Sequence, residues 1–166
     1  MAEKVKAVPE GFHTLTPHLV VREAARAIEF YKQAFGAQVR GISHGPGGSI
    51  MHALLQIGDS VLMLADEFPG SNCRSPQAVG GTSITLHIYV EDVDGMFNRA
   101  VAAGAQVTMP LMDAFWGDRY GQLLDPFGHA WSLAAHKQDL APEEIEKAGK
   151  AFFEQMPKRA QSAGYL

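Results

Sequence analysis

The chain has 166 residues, of which 46% are hydrophobic and 19% are charged, and its formal net charge is −4. This composition predicts one compact globular domain rather than a disordered or coiled-coil protein. The sequence has neither a basic stripe nor a long apolar run, so we expect no nucleic-acid partner and no membrane association.

The first module is predicted over residues 12–66 as a β-α-β-β-β unit. β-Branched and apolar residues predict a strand over 15–21. Apolar residues at three- and four-residue spacing predict an amphipathic helix over 24–35, which Gly36 ends. Three extended segments follow, separated by glycine- and proline-rich turns: 39–44, 49–57 and 60–66.

A second module is predicted over residues 82–136 in the same element order. Its strand covers 84–90, and Asp92 is placed to cap the N-terminus of the helix that follows. Three extended segments complete the module: 106–109, 117–124 and 130–135.

Two further segments lie outside the modules. Residues 67–81 are rich in Pro, Gly, Ser and Asn and are predicted to be a linker, in which Cys73 is a surface thiol. A C-terminal helix is predicted within 137–157, with an apolar stripe that extends to Met156. A single cysteine cannot form an internal disulfide, and the N-terminus lacks an apolar signal segment, so we expect a cytoplasmic protein.

The two modules are related by an internal repeat. Three pairs of segments match in the same order and at nearly constant spacing: 16–21 with 85–90, 36–39 with 104–107 and, more weakly, 58–62 with 128–132. Such a pattern indicates duplication of one supersecondary unit, and it makes His18 and His87 equivalent positions.

Short motifs mark the ends of these elements, and they carry a family resemblance. They are HLVV at 18–21, AIEFY at 27–31, FGA at 35–37, VEDVD at 90–94, AAGA at 102–105, AFWGDRYG at 114–121 and DPFGH at 125–129. Together they resemble the glyoxalase/bleomycin-resistance/extradiol-dioxygenase (vicinal oxygen chelate) superfamily, and the 114–121 run is similar to its PhnB-like branch. The resemblance implies an α+β fold in which two tandem βαβββ modules form a cupped mixed sheet for a small molecule. It also implies a homodimer.

The metal-using members of that family hold the ion with four His, Gln or Glu side chains, two from each module. The resemblance carries those positions to Thr16, Thr85, Ser132 and either Leu62 or Met63. None of these side chains is a good ligand for a divalent cation, which prefers imidazole or carboxylate. The sequence therefore predicts no conventional metal site.

Histidines offer an altered site. His18 and His87 lie two residues after Thr16 and Thr85, so each shares a strand face with the family's ligand position. His52 lies mid-strand and can join them. The three histidines either bind a divalent metal (Zn, Ni, Mn or Fe), act as acid and base, or are hydrogen-bonded pocket residues.

The loop that contains Trp116, Arg119 and Tyr120 is the other candidate site. Aromatic rings beside a guanidinium suit a planar or anionic ligand, although the same side chains could simply close one end of the cup. Trp131 alternates with Ala130 and Ser132 and is predicted to face the helices.

These observations favour a small-molecule-binding protein that sequesters a drug or metabolite in a cup without a conventional metal site. One alternative is a metal-dependent lyase, isomerase or dioxygenase that uses His18, His52 and His87. Another is an interaction or regulatory domain whose cup is vestigial. The ligand-binding residues expected from the sequence are His18, His52, His87, Trp116, Arg119 and Tyr120.

Overall fold

The computed structural model of the chain describes residues 5–155. The first module contains four strands and one helix. In chain order they are β1 His18–Val21, α1 Ala24–Phe35, β2 Gln38–His44, β3 Ile50–Ile57 and β4 Ser60–Asp66. A 3₁₀ turn over Pro46–Gly48 joins β2 to β3.

The linker contains a short helix, α2 (Pro76–Val79), and the second module follows it. The elements of that module are β5 Thr85–Tyr89, α3 Val93–Ala102, β6 Gln106–Asp113, β7 Asp118–Leu124 and β8 Ala130–His136. A last helix, α4 (Pro142–Gln155), comes after β8. Both predicted modules and the C-terminal helix are therefore present.

Each module forms one four-stranded mixed sheet. The strand orders are β1-β4-β3-β2 and β5-β8-β7-β6. In both sheets the first strand of the module runs parallel to the last, and the other neighbours are antiparallel. This confirms the predicted α+β fold and shows that the repeat extends to strand order and direction.

Two strands differ in length from the prediction. β1 begins at His18 because the preceding segment turns: Leu15 is 86% exposed, and the Thr16 hydroxyl donates to the backbone oxygen of His13. β6 continues to Asp113 and includes Pro110. A proline is tolerated there because β6 is an edge strand, where the missing N–H can face away from the sheet.

The two modules share one hydrophobic core. α1 packs against α3, and each helix covers one face of its own sheet. Trp131 on β8 is 2% exposed, and its ring centre lies 4.6 Å from that of Phe35 on α1. Trp131 thus faces the helices as predicted, although Phe35 belongs to the other module. Since core residues of both sheets point towards the helices, the opposite face of each sheet is turned away from the core.

Asp125 links the two modules through a buried carboxylate. Its Oδ2 accepts hydrogen bonds from the Tyr31 hydroxyl at 2.7 Å and from Trp131 Nε1 at 2.9 Å. Its Oδ1 accepts the backbone N–H groups of Phe127 and His129, both at 2.9 Å. Burial, and then the Asp125 charge, raise the pKa of Tyr31 well above its ordinary value, so its hydroxyl remains a donor.

The C-terminal helix, α4, begins at Pro142, within the segment 137–157 predicted to contain it. Residues 137–141 connect β8 to α4. The helix packs on the loop before β7, with the ring of Phe152 5.4 Å from that of Phe115. Met156 and the end of the predicted 137–157 helix lie outside the described residues. No helix in the described part of the chain is both long and apolar enough to cross a membrane.

Replacing Asp125 tests its role in joining the modules. Asp125→Ala leaves buried donors from both modules without an acceptor, and we expect the free energy of unfolding to fall by about 3 kcal/mol. Tyr31→Phe, which removes a single donor, should lower it by only about 1 kcal/mol. Urea denaturation followed by circular dichroism measures both. If the two variants were equally stable, Asp125 would not be the link described here.

Candidate functional site

Polar and aromatic side chains share the face of the second sheet that is turned away from the core. His87 and Tyr89 are alternate residues of β5, and His87 lies opposite Ser132 of β8. Across the next pair of strands, Gln122 lies opposite Ser132 and Tyr120 opposite Ala134. Because side chains alternate along a strand, these residues project to one side. We call this surface the second open face: His87, Tyr89, Tyr120, Gln122 and Ser132.

The side chains of the second open face contact one another. His87 Nδ1 lies 2.6 Å from the Ser132 hydroxyl, and the donor of that bond depends on the histidine tautomer. The His87 ring centre is 4.4 Å from that of Tyr89 and 6.0 Å from that of Tyr120, the latter nearly parallel at 19°. Gln122 Nε2 donates to the Tyr120 hydroxyl at 2.8 Å. The result is an aromatic wall above hydrogen-bonding groups.

Asp118 holds one end of this face. Its carboxylate is 4% exposed and accepts from Trp116 Nε1 at 3.1 Å and from the Tyr89 hydroxyl at 3.2 Å. His136 Nδ1 lies 2.7 Å from its other oxygen. The Trp116 ring is thereby fixed beside Tyr120, with ring centres 5.2 Å apart and planes at 74°. Trp116 and Tyr120 therefore lie together at this end of the face.

Histidines around the face differ in the direction in which their pKa values are shifted. Hydrogen bonds to Asp139 and then Asp118 raise the pKa of His136 above its ordinary value. Burial lowers the pKa of His87, although the nearby Asp118 charge opposes the shift. At neutral pH His87 is therefore a neutral imidazole that can accept or donate a hydrogen bond.

His18 and His52 lie on the first sheet. There, the face turned away from the core carries His18, His52, Leu54 and Met63, and we call it the first open face. The ring centres of His18 and His52 are 5.7 Å apart. Burial, and then His52, lower the pKa of His18. No contact joins either residue to His87, so the expected set of three histidines does not form within the described part of one chain.

Arg119 is a second correction. On β7 it alternates with Asp118 and Tyr120, so it projects to the helix side of the sheet. Its guanidinium donates two hydrogen bonds to Asp94 at the start of α3, at 2.6 and 2.7 Å, and a third to Asp113. These hydrogen bonds, with that to Asp94 first, raise the pKa of the Arg119 guanidinium above its ordinary value. Arg119 is thus engaged by two carboxylates and does not face the aromatic side chains.

The positions that the family resemblance assigns to a metal do not fit one. The Thr16 hydroxyl is bonded to the His13 carbonyl, and the Ser132 hydroxyl contacts His87. Leu62 is 4% exposed and belongs to the core, while Met63, on the first open face, offers only a thioether. Residues 5–155 contain no group of three or more His, Cys, Asp or Glu side chains arranged to hold a metal ion.

Several residues of the site were not anticipated from the sequence: Tyr89, Asp118, Gln122 and His136. Strand alternation from His87 could have indicated Tyr89, and alternation from Tyr120 could have indicated Gln122. No sequence signal indicates that Asp118 is buried or that His136 reaches it, because the contact depends on the pairing of β7 with β8.

Two clefts lie near these elements. One, of about 630 Å³, runs along β5 between the modules and is lined by apolar side chains such as Phe35, Leu62 and Trp131. His87 and Tyr89 contribute to its lining. The other, of about 570 Å³, lies at the linker, where Arg22 and Arg74 both approach Glu67. The first cleft therefore extends the second open face, and the arginines of the second are already partnered.

Residues 11–133 match the sequence profile of the Glyoxalase/Bleomycin resistance protein/Dioxygenase superfamily. An uncharacterized protein of Mycobacterium tuberculosis is 47% identical over 137 residues, which cover 81% of this chain and 81% of that protein. Among solved structures, TioX from Micromonospora sp. ML1 is similar with a TM-score of 0.61 and 29% identity, over 75% of this chain and 98% of TioX. A PhnB protein from Bacillus cereus, at 22% identity, has a TM-score of 0.59 over 74% of this chain and 99% of its own, and it supports the fold alone.

Histidine titration tests the electrostatics of the site. Nuclear magnetic resonance should show His136 titrating above 6.5, and His18 and His87 below it. Asp139→Asn should lower the pKa of His136 and leave that of His87 unchanged.

The same shifts fix the pH dependence of stability. His136 contributes fully to the free energy of unfolding when the pH is below the pKa of this residue in the unfolded chain. This contribution is lost as the pH rises through its raised pKa in the folded protein. The contributions of His18 and His87 to the free energy of unfolding are present above a pH of about 6.5. They are lost as the pH falls towards the lowered pKa values of these residues in the folded protein. A pKa for His136 below that of His87 would contradict this assignment.

Proposed function

Since the chain belongs to the glyoxalase/bleomycin resistance protein/dioxygenase superfamily, we propose that it is a small-molecule-binding protein that takes a planar aromatic ligand on its second open face. The main support for this proposal is that four rings, those of His87, Tyr89, Trp116 and Tyr120, lie together around hydrogen-bonding groups. Binding sites for small molecules are typically lined by apolar and aromatic side chains, with a few polar groups that fix the orientation of the ligand.

Each part of the face has a role in this proposal. Tyr120 and Trp116 offer ring faces and edges on which a flat ligand stacks. The Gln122 amide and the His87–Ser132 pair offer donors and acceptors to its polar atoms. Asp118 fixes the orientation of Trp116 and so prepares the wall before the ligand arrives.

The electrostatics favour an uncharged ligand over an anion. Arg119, the cation that the sequence suggested, lies on the other side of β7 and is bonded to Asp94 and Asp113. The charge nearest to the aromatic rings is the carboxylate of Asp118. A ligand held by stacking and neutral hydrogen bonds suits this environment, and sequestration of a drug or metabolite requires no further chemistry.

A second copy of the chain is part of the proposal. Both open faces are turned away from the core, and the first carries half-buried apolar side chains such as Leu54 and Met63. Covering them across a homodimer would remove apolar surface from water and close each open sheet into a cup. We further assign the chain to the PhnB-like branch, on the 114–121 run, and expect it in the cytoplasm.

Ligand binding is tested with a panel of fused-ring aromatic compounds and their saturated counterparts, such as 2-naphthol and decahydro-2-naphthol, by isothermal titration calorimetry. We expect only the aromatic member of such a pair to bind. Trp116→Ala and Tyr120→Ala should each weaken binding by about tenfold, the loss of roughly one stacking contact. The matched control is Arg119→Gln, which should bind with unchanged affinity. Equal binding of saturated and aromatic members, or loss of binding in the Arg119 variant alone, would overturn the proposal.

The dimer is tested by multi-angle light scattering after size exclusion. We expect twice the 18.0 kDa mass of one chain. Leu54→Glu should shift the protein towards the monomer because it introduces a charge into the covered face. Val79→Glu changes an exposed residue of the linker and should leave the mass unchanged. A monomeric wild-type protein at micromolar concentration would refute this part.

A further inference from the structure

His18 and His52 differ from His87, His129 and His136 in their hydrogen bonding. His87, His129 and His136 each have a ring nitrogen bonded to a described residue. Neither His18 nor His52 has such a bond among the side chains of residues 5–155, although their rings are in contact. Two imidazole rings thus meet edge to face on the first open face, where His18 is exposed and His52 is half-buried.

The sheet register explains how the two rings meet. His18 lies opposite Met63, and Val20 lies opposite Ala65, across the β1–β4 pair. On the other side of β4, Ala53 lies opposite Leu64, which places His52 next to Ala65. The two histidines therefore flank β4 diagonally, and the small side chain of Ala65 leaves room for their rings to approach above it.

The spacing suits a shared ion. Two imidazoles bound to one tetrahedral metal at about 2.0–2.1 Å have ring centres roughly 5 Å apart, and the observed separation is 5.7 Å.

From this geometry we infer that His18 and His52 form a binding site for a borderline divalent transition metal (Zn²⁺, Ni²⁺ or Cu²⁺) on the first open face. Imidazole suits these three ions. The remaining coordination positions point into the cup that the proposed dimer forms over this face, where water or an oxygen- or nitrogen-bearing molecule can fill them. The site does not use the family's ligand positions Thr16, Thr85 and Ser132. It lies on a different sheet from the aromatic wall, so it stands independently of the proposed ligand site.

The test is metal binding by untagged, chelator-treated protein. Zn²⁺ titrated calorimetrically should bind at one ion per chain, and His18→Ala and His52→Ala should each weaken binding roughly tenfold or more, since each removes one of two ligands. With Cu²⁺, electron paramagnetic resonance should show hyperfine coupling to two imidazole nitrogens, reduced to one in either variant. Thermal unfolding of the metal-free variants checks that they are folded.

Two controls separate this site from general histidine binding. His87→Ala changes the only histidine of the second open face's aromatic wall and should leave Zn²⁺ affinity unchanged. The double variant His13→Ala with His44→Ala removes two exposed histidines and should likewise bind normally. Absence of stoichiometric binding by the wild type overturns the inference. So does binding that survives in folded His18→Ala and His52→Ala proteins or that disappears in either control.

Discussion

The buried carboxylate of Asp125 is the constraint on which the arrangement of this molecule depends. It lies in the turn before β8, yet one of its partners, Tyr31, comes from the helix of the other module. A buried charge is tolerated only when hydrogen bonds replace water, and here four donors do so. Their geometry holds α1 against the second module, where Trp131 packs on Phe35. Because the modules are joined through their helices, each sheet turns its other face away from the core.

That orientation gives the two faces different chemistry despite their common origin. The repeat places histidines at equivalent positions, His18 on β1 and His87 on β5. On the second sheet His87 meets Ser132 and two tyrosines, and Asp118 orders the adjacent Trp116. On the first sheet His18 meets another histidine. The two modules thus share one fold, but the residues around the equivalent histidines differ. The second open face carries aromatic side chains, whereas the first carries two neighbouring imidazoles.

Much of the fold could be predicted from the sequence, because helix and strand periodicities are local properties. The module order, the Asp92 cap and the inward orientation of Trp131 all follow from such patterns. The site was predicted less completely. Trp116 and Tyr120 do lie together, but Arg119 faces the other side, since neighbouring residues of a strand alternate. The extended segment predicted over 117–124 already implied this separation, because Arg119 and Tyr120 are neighbours within β7.

The sequence by itself determined the two β-α-β-β-β units, their relation by repeat and the family to which the chain belongs. It also determined which residues share a face within one strand, because alternation needs no knowledge of neighbours. Only the tertiary structure decided which strands lie side by side and how the modules meet. Those contacts join residues far apart in the chain, such as Tyr31 with Asp125 and His18 with His52. The pairing of His18 with His52 rather than His87 follows from strand order within a sheet, which no local pattern encodes.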